Sequence, residues 1–327
     1  MLAKIGVKMS KLHSYTAAGE MPWKLIQNKN AIIQGHINPI HIQLIPTNRC
    51  NGNCSWCSCS KVDRTLELGI KEIREIIEEF ALLGAQAITI TGGGEPTIHP
   101  DFMNILVACG RFGYKIGMVT NGVMIPKGKF EYDLLNQLLT WLRISVYDPE
   151  GDYDTSLIEK IALLLPEVDI GISFTVTDKV NIKIAQAVCD LAAITPNITH
   201  IRFVEDILHA NEEYLLQAMA MVEKACRDLT TKAIYQYRNI FTRGTEQCLI
   251  SLLKPLINAD GYVYPCCGVQ YATSELRTMP EQFRMCKWHE FKYQKAFDGS
   301  ICRKCYYTKY NDVLSNLIAD LDHKEFV

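Results

Sequence analysis

The chain has 327 residues, of which 48% are hydrophobic and 21% charged, with a formal net charge of −2. These are ordinary values for a water-soluble globular protein, and the length holds one large α/β domain plus a smaller one. No apolar run approaches the ~18–20 residues that cross a bilayer, and "MLAKIGVKMSKLHSY" lacks the apolar stretch of a signal peptide. The expectation is therefore a cytoplasmic protein with no membrane partner. Thirteen cysteines in such a compartment point to metal more than to disulfides.

Residues 1–37 read as an N-terminal extension. From 38 to 240 short β-rich runs alternate with amphipathic helices. "HIQLIP" (41–46) reads as a strand leading into "CNGNCSWCSC" (50–59). "IKEIREIIEEFALLG" then places Ile70, Ile73, Ile77 and Phe80 on one helical face, with Gly84 as C-cap. "AITIT" (87–91) is followed by a glycine-rich turn and a helix near 100–112. "KIGMVT" (115–120), "WLRISVY" (141–147), "DIGISFTV" (169–176) and "HIRFVE" (200–205) continue the series. Six strands in βα alternation imply a parallel sheet with helices outside, open or curled into a barrel. Chemistry in such sheets sits at the carboxyl ends of the strands. There the cysteines follow the first strand, "GGGEP" the second and "NG" the third. From 241 to 327 the style changes to turns, prolines, aromatics and cysteines, as in a small module organised by metal.

Cys50, Cys54 and Cys57 form C-x3-C-x2-C. Three thiolates on one tight loop grip three irons of a [4Fe–4S] cube and leave the fourth open to a substrate. A zinc site wants four ligands, and Cys59 supplies a fourth by count. "CNGNCSWC" after one strand and "TGGGEP" after the next resemble the radical S-adenosylmethionine (radical SAM) superfamily. The resemblance implies a partial (βα)6 TIM-like barrel whose open iron chelates the methionine moiety of SAM. One electron then cleaves SAM, and the resulting 5′-deoxyadenosyl radical removes a hydrogen atom from the substrate. It also implies a reducing partner such as flavodoxin or ferredoxin. The family pattern places Trp56, Gly93, Gly94, Glu95, Asn121, Arg143 and Ser145 around SAM. Glu95 is expected to meet the SAM ammonium group, and His99 and Cys59 to be bystanders. "SVYD" stands where the family often has "SLD", leaving Asp148 one place late.

The C-terminal cysteines resemble the SPASM/Twitch auxiliary-cluster module. That resemblance implies a second [4Fe–4S] cluster on Cys248, Cys266, Cys302 and Cys305, with structural zinc on the same thiolates as the alternative. Cys267 and Cys286 are spare, and either is a candidate hydrogen-atom donor. Cys109, Cys189 and Cys226 read as buried small hydrophobes. The expected function is oxidation, rearrangement or epimerisation of a small molecule or peptide by an oxidoreductase or isomerase. An alternative is modification of a base in DNA or RNA, because residues 284–310 interleave seven Lys/Arg with aromatic residues. A different class, a non-catalytic iron–sulfur electron carrier or sensor, needs no SAM pocket.

Overall fold

The computed structural model describes residues 29–319, apart from 31, 33, 35, 36, 55, 56, 147–152, 207, 209–211, 238–241 and 274–277. All six expected strands form: β1 (His41–Leu44), β2 (Ala87–Ile90), β3 (Lys115–Thr120), β4 (Leu139–Val146), β5 (Asp169–Val176) and β6 (Ile198–Glu205). Between them lie α1 (Ile70–Leu82), α2 (Phe102–Arg111), α3 (Tyr132–Leu138), α4 (Ser156–Leu164) and α5 (Ile182–Ile194). Then come α6 (Glu212–Cys226) and a seventh parallel strand, β7 (Ala233–Gln236). Sequence reading did not find β7: four half-buried residues at a sheet edge carry too little apolar alternation to stand out.

The spacing of apolar residues sets each helix on the sheet. In α1 the isoleucines at 73, 76 and 77 and Phe80 are buried while Ile70 is half-buried, so the packed face includes Ile76 as well as the expected positions. Gly84, at φ +104°, reverses the chain after that helix. One continuous core joins the helix-facing side of the sheet to α1–α6, and Cys109, Cys189 and Cys226 are fully buried in it.

The sheet is open, with strand order β10-β9-β8-β1-β2-β3-β4-β5-β6-β7. Its left end comes from the C-terminal region: β8 (Leu256–Ile257) lies parallel to β1, and β9 (Tyr262–Tyr264) and β10 (Cys286–Lys287) follow antiparallel. The cysteine-rich region is thus continuous with the barrel sheet. The short helix α7 (Ile250–Leu253) and α8 (Thr308–Ile318) complete it. Of the N-terminal extension, Ile32 is buried against Cys248, Leu249, Leu253 and Leu314. Among the described residues, no helix is long and apolar enough to cross a membrane.

Candidate functional site

Strand alternation divides side chains between the helix layer and the concave face. Ile42, Ile88, Ile116 and Leu142 face the helices, while Gln43, Thr89, Gly117 and Trp141 share one register row across β1–β4 on the other face. The floor is plugged by large rings over missing side chains. A Cβ on Gly117 would lie 2.1 Å from the Trp141 ring, and one on Gly171 2.4 Å from His200 Cε1. Burial, then Arg143 and Arg202, push the His200 imidazole down to about 3, so it is neutral. The Arg143 guanidinium lies over Trp141, 5.1 Å from the ring centroid.

Above this floor opens a cavity of about 830 Å³, within the range of small-molecule sites. Its strand-borne walls include Gln43, Thr91, Arg143, Ser145, Ser173 and Arg202; its far wall includes Lys254, Cys267, Gln270, Tyr307 and Tyr310 from the C-terminal region. Arg143 and Ser145 therefore reach the same space. Gln43, Arg202, Lys254 and Gln270 were missed by sequence reading. The signal was available for the first two, since polar residues recur every second position in the strands.

The cysteine loop leaves β1 at the carboxyl edge of the sheet. Its base is a pairing of Thr47 with Glu67, flanked by Asn48 N donating to Leu66 O and Leu68 N to Pro46 O. Within the loop, Gly52 N donates to Cys50 Sγ at 3.4 Å and Cys59 N to Cys57 Sγ at 3.3 Å. Burial first, then the neighbouring Cys57 and Cys50, push the Cys54 thiol up. Crowded thiols resist ionisation unless a cation lies among them. Trp56 lies outside the described residues, as do Tyr147 and Asp148.

The glycine turn after β2 is built against this loop. Gly94 N donates to Thr47 O and Glu95 N to Arg49 O, and a Cβ on Gly94 would stand 1.8 Å from Arg49 O. Only glycine permits that approach. Arg64 donates to both Asn48 O and Gly93 O, pinning loop and turn together. The Glu95 carboxylate is buried and accepts from Thr97 N, Thr97 Oγ1, Thr120 Oγ1 and Asn121 N. It ties the turn to the end of β3. Asn121 in turn donates to Asn51 Oδ1 at 2.7 Å, so the third strand end reaches the cysteine loop. His99 is structural: its Nδ1 accepts from Asp101 N, which leaves Nε2–H to donate to Leu68 O at 2.9 Å.

The second cysteine set also converges. Cys248, Cys266, Cys302 and Cys305 line one small cavity between β9, α7 and α8. Burial, then the nearby Cys305 and Cys248, push Cys302 up to about 12. Burial and Cys267, with Cys248 behind them, raise Cys266. Amide donors already point at these sulfurs: Gly268 N to Cys266 (3.3 Å), Tyr307 N to Cys305 (3.3 Å) and Asn311 Nδ2 to Cys248 (3.6 Å). Among the described residues, no three His, Cys, Asp or Glu side chains close around a single point as one metal ion requires.

The spare cysteines separate. Cys267 lines the 830 Å³ cavity, whereas Cys286 is buried in the main core on β10 and does not line it. Cys59 is 4% exposed, and its thiol donates to Gln270 Oε1 at 2.8 Å. This contact spans from the cysteine loop to the C-terminal region.

Residues 284–310 pack against the protein itself. Phe291 packs against Phe80 with tilted rings, Trp288 donates to Glu72, Lys292 pairs with Glu79, and Arg284 pairs with Asp260 and Glu281.

These features define a parallel α/β partial barrel with a three-cysteine loop at its mouth. Residues 44–154 match the Radical SAM superfamily. It is 27% identical to a GTP 3′,8-cyclase of Aeromonas hydrophila over 50% of this chain and 53% of the relative. It is also 27% identical to a PqqA peptide cyclase of Methylobacterium nodulans over 61% of this chain and 56% of the relative. The chain thus spans about half the length of these curated relatives. Among solved structures, the fold is similar to Streptococcus suis SuiB bound to S-adenosylmethionine (TM-score 0.55, 15% identity, 78% of this chain and 67% of that one). It is also similar to anSMEcpe with bound AdoMet and a peptide (TM-score 0.54, 13% identity, 88% and 86%).

Proposed function

We propose that the protein is a radical SAM enzyme that modifies a small molecule or a peptide in the barrel cavity. The observation that supports this reading is that the cysteine loop, the Gly93–Gly94–Glu95 turn and Asn121 are hydrogen-bonded to one another at the carboxyl ends of β1–β3, while Arg143 and Ser145 on β4 line the cavity. The three thiols would hold a [4Fe–4S] cluster with an open iron, and the cluster with SAM supplies a hydrogen-abstracting radical. The pocket fits a cofactor with an ammonium group: Asn48 Oδ1 is buried beside Gly93 with no hydrogen-bond donor. Glu95 fixes Asn121 and the turn, while its Oε2 accepts from Asn121 N and keeps acceptor capacity.

Cys248, Cys266, Cys302 and Cys305 would hold an auxiliary [4Fe–4S] cluster. Four thiols lining one cavity supply the donor set that such a cluster takes. The two curated relatives, by name, act on a nucleotide and on a peptide; for this chain the substrate stays within those classes, and the reaction is an oxidation or an isomerisation. A one-electron reductant such as flavodoxin or ferredoxin would serve it in the cytoplasm. For the alternative reading, a base in DNA or RNA, Arg284 and Lys292 are paired within the protein and Phe291 packs on Phe80, while Tyr293 is exposed.

The test is anaerobic reconstitution followed by iron, sulfide and zinc counts and assay of SAM cleavage. About eight irons with matching sulfide and 5′-deoxyadenosine formation are expected. About four irons plus one zinc would make the C-terminal site structural. Iron without any SAM cleavage would return the protein to the electron carriers. Replacing Cys50, Cys54 or Cys57 by Ala should abolish cleavage.

A further inference from the structure

Cys266 and Cys267 are neighbours in sequence that serve two different spaces. Cys266 is extended (φ −173°, ψ 173°), a geometry that sends successive side chains to opposite sides. Its sulfur lines the four-thiol cavity, while Cys267 lines the 830 Å³ cavity beneath. Cys267 Sγ lies 3.9 Å from the hydroxyl of Tyr307, a residue that lines both cavities. The Tyr310 ring, also on the cavity wall, follows at 6.1 Å between centroids. The cavity is shaped for an occupant on independent grounds: Gln43 in its wall is 8% exposed, and its Oε1 is buried without a hydrogen-bond partner.

We propose that Cys267 is a catalytic hydrogen-atom donor to a carbon radical of the substrate, with Tyr307 as the residue that relays the radical away. The proposal rests on the radical SAM reading above. The balance is simple. The Cys267 S–H bond breaks homolytically and a C–H bond forms on the substrate, leaving a sulfur radical and no net electron change. That radical takes the hydrogen atom of the Tyr307 O–H, which restores the thiol and leaves a phenoxyl radical. One electron from a low-potential reductant and one proton from water reset the phenol. An S–H bond is weaker than most substrate C–H bonds, so the first transfer runs toward the substrate. Donation from the wall formed by the C-terminal region makes the outcome a redox-neutral replacement of hydrogen, in which the substrate gains no unsaturation. Cys286, enclosed in the core, has no path to this space.

The test uses the full chain, reconstituted anaerobically, with SAM and dithionite in deuterated buffer and no other substrate. Any carbon radical formed in the cavity then draws on the exchangeable S–D of Cys267. Wild type and Cys286→Ala should give 5′-deoxyadenosine carrying solvent deuterium. Cys267→Ala and Cys267→Ser should lose that label while keeping wild-type iron content. Freeze-quenched samples should show a phenoxyl electron-spin signal that Tyr307→Phe removes. In the protein without cluster or SAM, iodoacetamide mapping should modify Cys267 ahead of buried Cys59 and Cys286. Equal deuterium in wild type and Cys267→Ala overturns the proposal, and so does loss of iron in Cys267→Ala, which would make Cys267 a ligand. Absence of 5′-deoxyadenosine from every sample overturns the underlying radical SAM reading instead.

Discussion

The barrel and the cysteine-rich region share one sheet but are held in different ways. The barrel buries a single large cluster of isoleucine, leucine, valine and phenylalanine between sheet and helices, and each such side chain contributes about 1.5–3 kcal/mol. The C-terminal region has strands of two or three residues, 3-10 turns and two small clusters. What it has instead is four thiols around one cavity, welded to the barrel by β8 on β1. If these thiols hold a cluster as proposed, a region whose apolar clusters are this small would draw part of its order from it and from its neighbour. The barrel needs neither, which frees its concave face to be polar.

The sharpest way to break this contrast is Cys302→Ala. Product formation should be lost while uncoupled SAM cleavage largely survives, and hydrogen exchange should rise across residues 242–319 but not in β2–β6. Unchanged exchange in the C-terminal region would show that it is held by packing after all. A smaller effect is expected from Gly94→Ala. Its Cβ would meet Arg49 O at 1.8 Å, forcing the turn off the cysteine loop at a cost of about 3 kcal/mol, read by urea unfolding. A loss below about 0.5 kcal/mol would mean that turn and loop move independently. The smallest effect is at the barrel floor. The unfolded His200 takes up a proton below its ordinary 6.5, while burial and the two arginines delay this in the folded protein to about 3. Stability is therefore lost as pH falls from 6.5 toward 3. His200→Asn should flatten the fall in melting temperature between about pH 7 and pH 5; identical slopes would mean that the imidazole is already solvated.

Much of this was legible in the sequence because it is local. Six strands, α1 and the three buried helix cysteines follow from periodicity alone, and the clustering of the remaining cysteines marks out both groups of thiols. What could not be read is what depends on distant partners. The carboxylate of Glu95 is committed to Thr97, Thr120 and Asn121, and nothing in "GGGEP" announces donors on β3. The opposite destinations of Cys266 and Cys267 depend on one extended residue. The pairing of β8 with β1 joins two short segments that have no sequence signal for each other. Gln43 and Arg202 are a different case: strand alternation placed them on the concave face, but only the sheet shows that the face encloses a cavity.

The position of β8 also has a consequence for how the protein is made. Gln43 and Leu44 emerge early from the ribosome, yet their partners on that edge, Leu256 and Ile257, are synthesised only after the whole barrel. Until then the nascent chain carries an unpaired strand edge directly beside the three-cysteine loop, and slow assembly of such distant pairings is where chains aggregate. If the loop holds a cluster as proposed, the same interval leaves it open to the machinery that delivers iron and sulfide. Cofactor loading and edge protection thus compete for one window of biosynthesis, and overexpression without added iron–sulfur assembly capacity should send this protein preferentially to inclusion bodies.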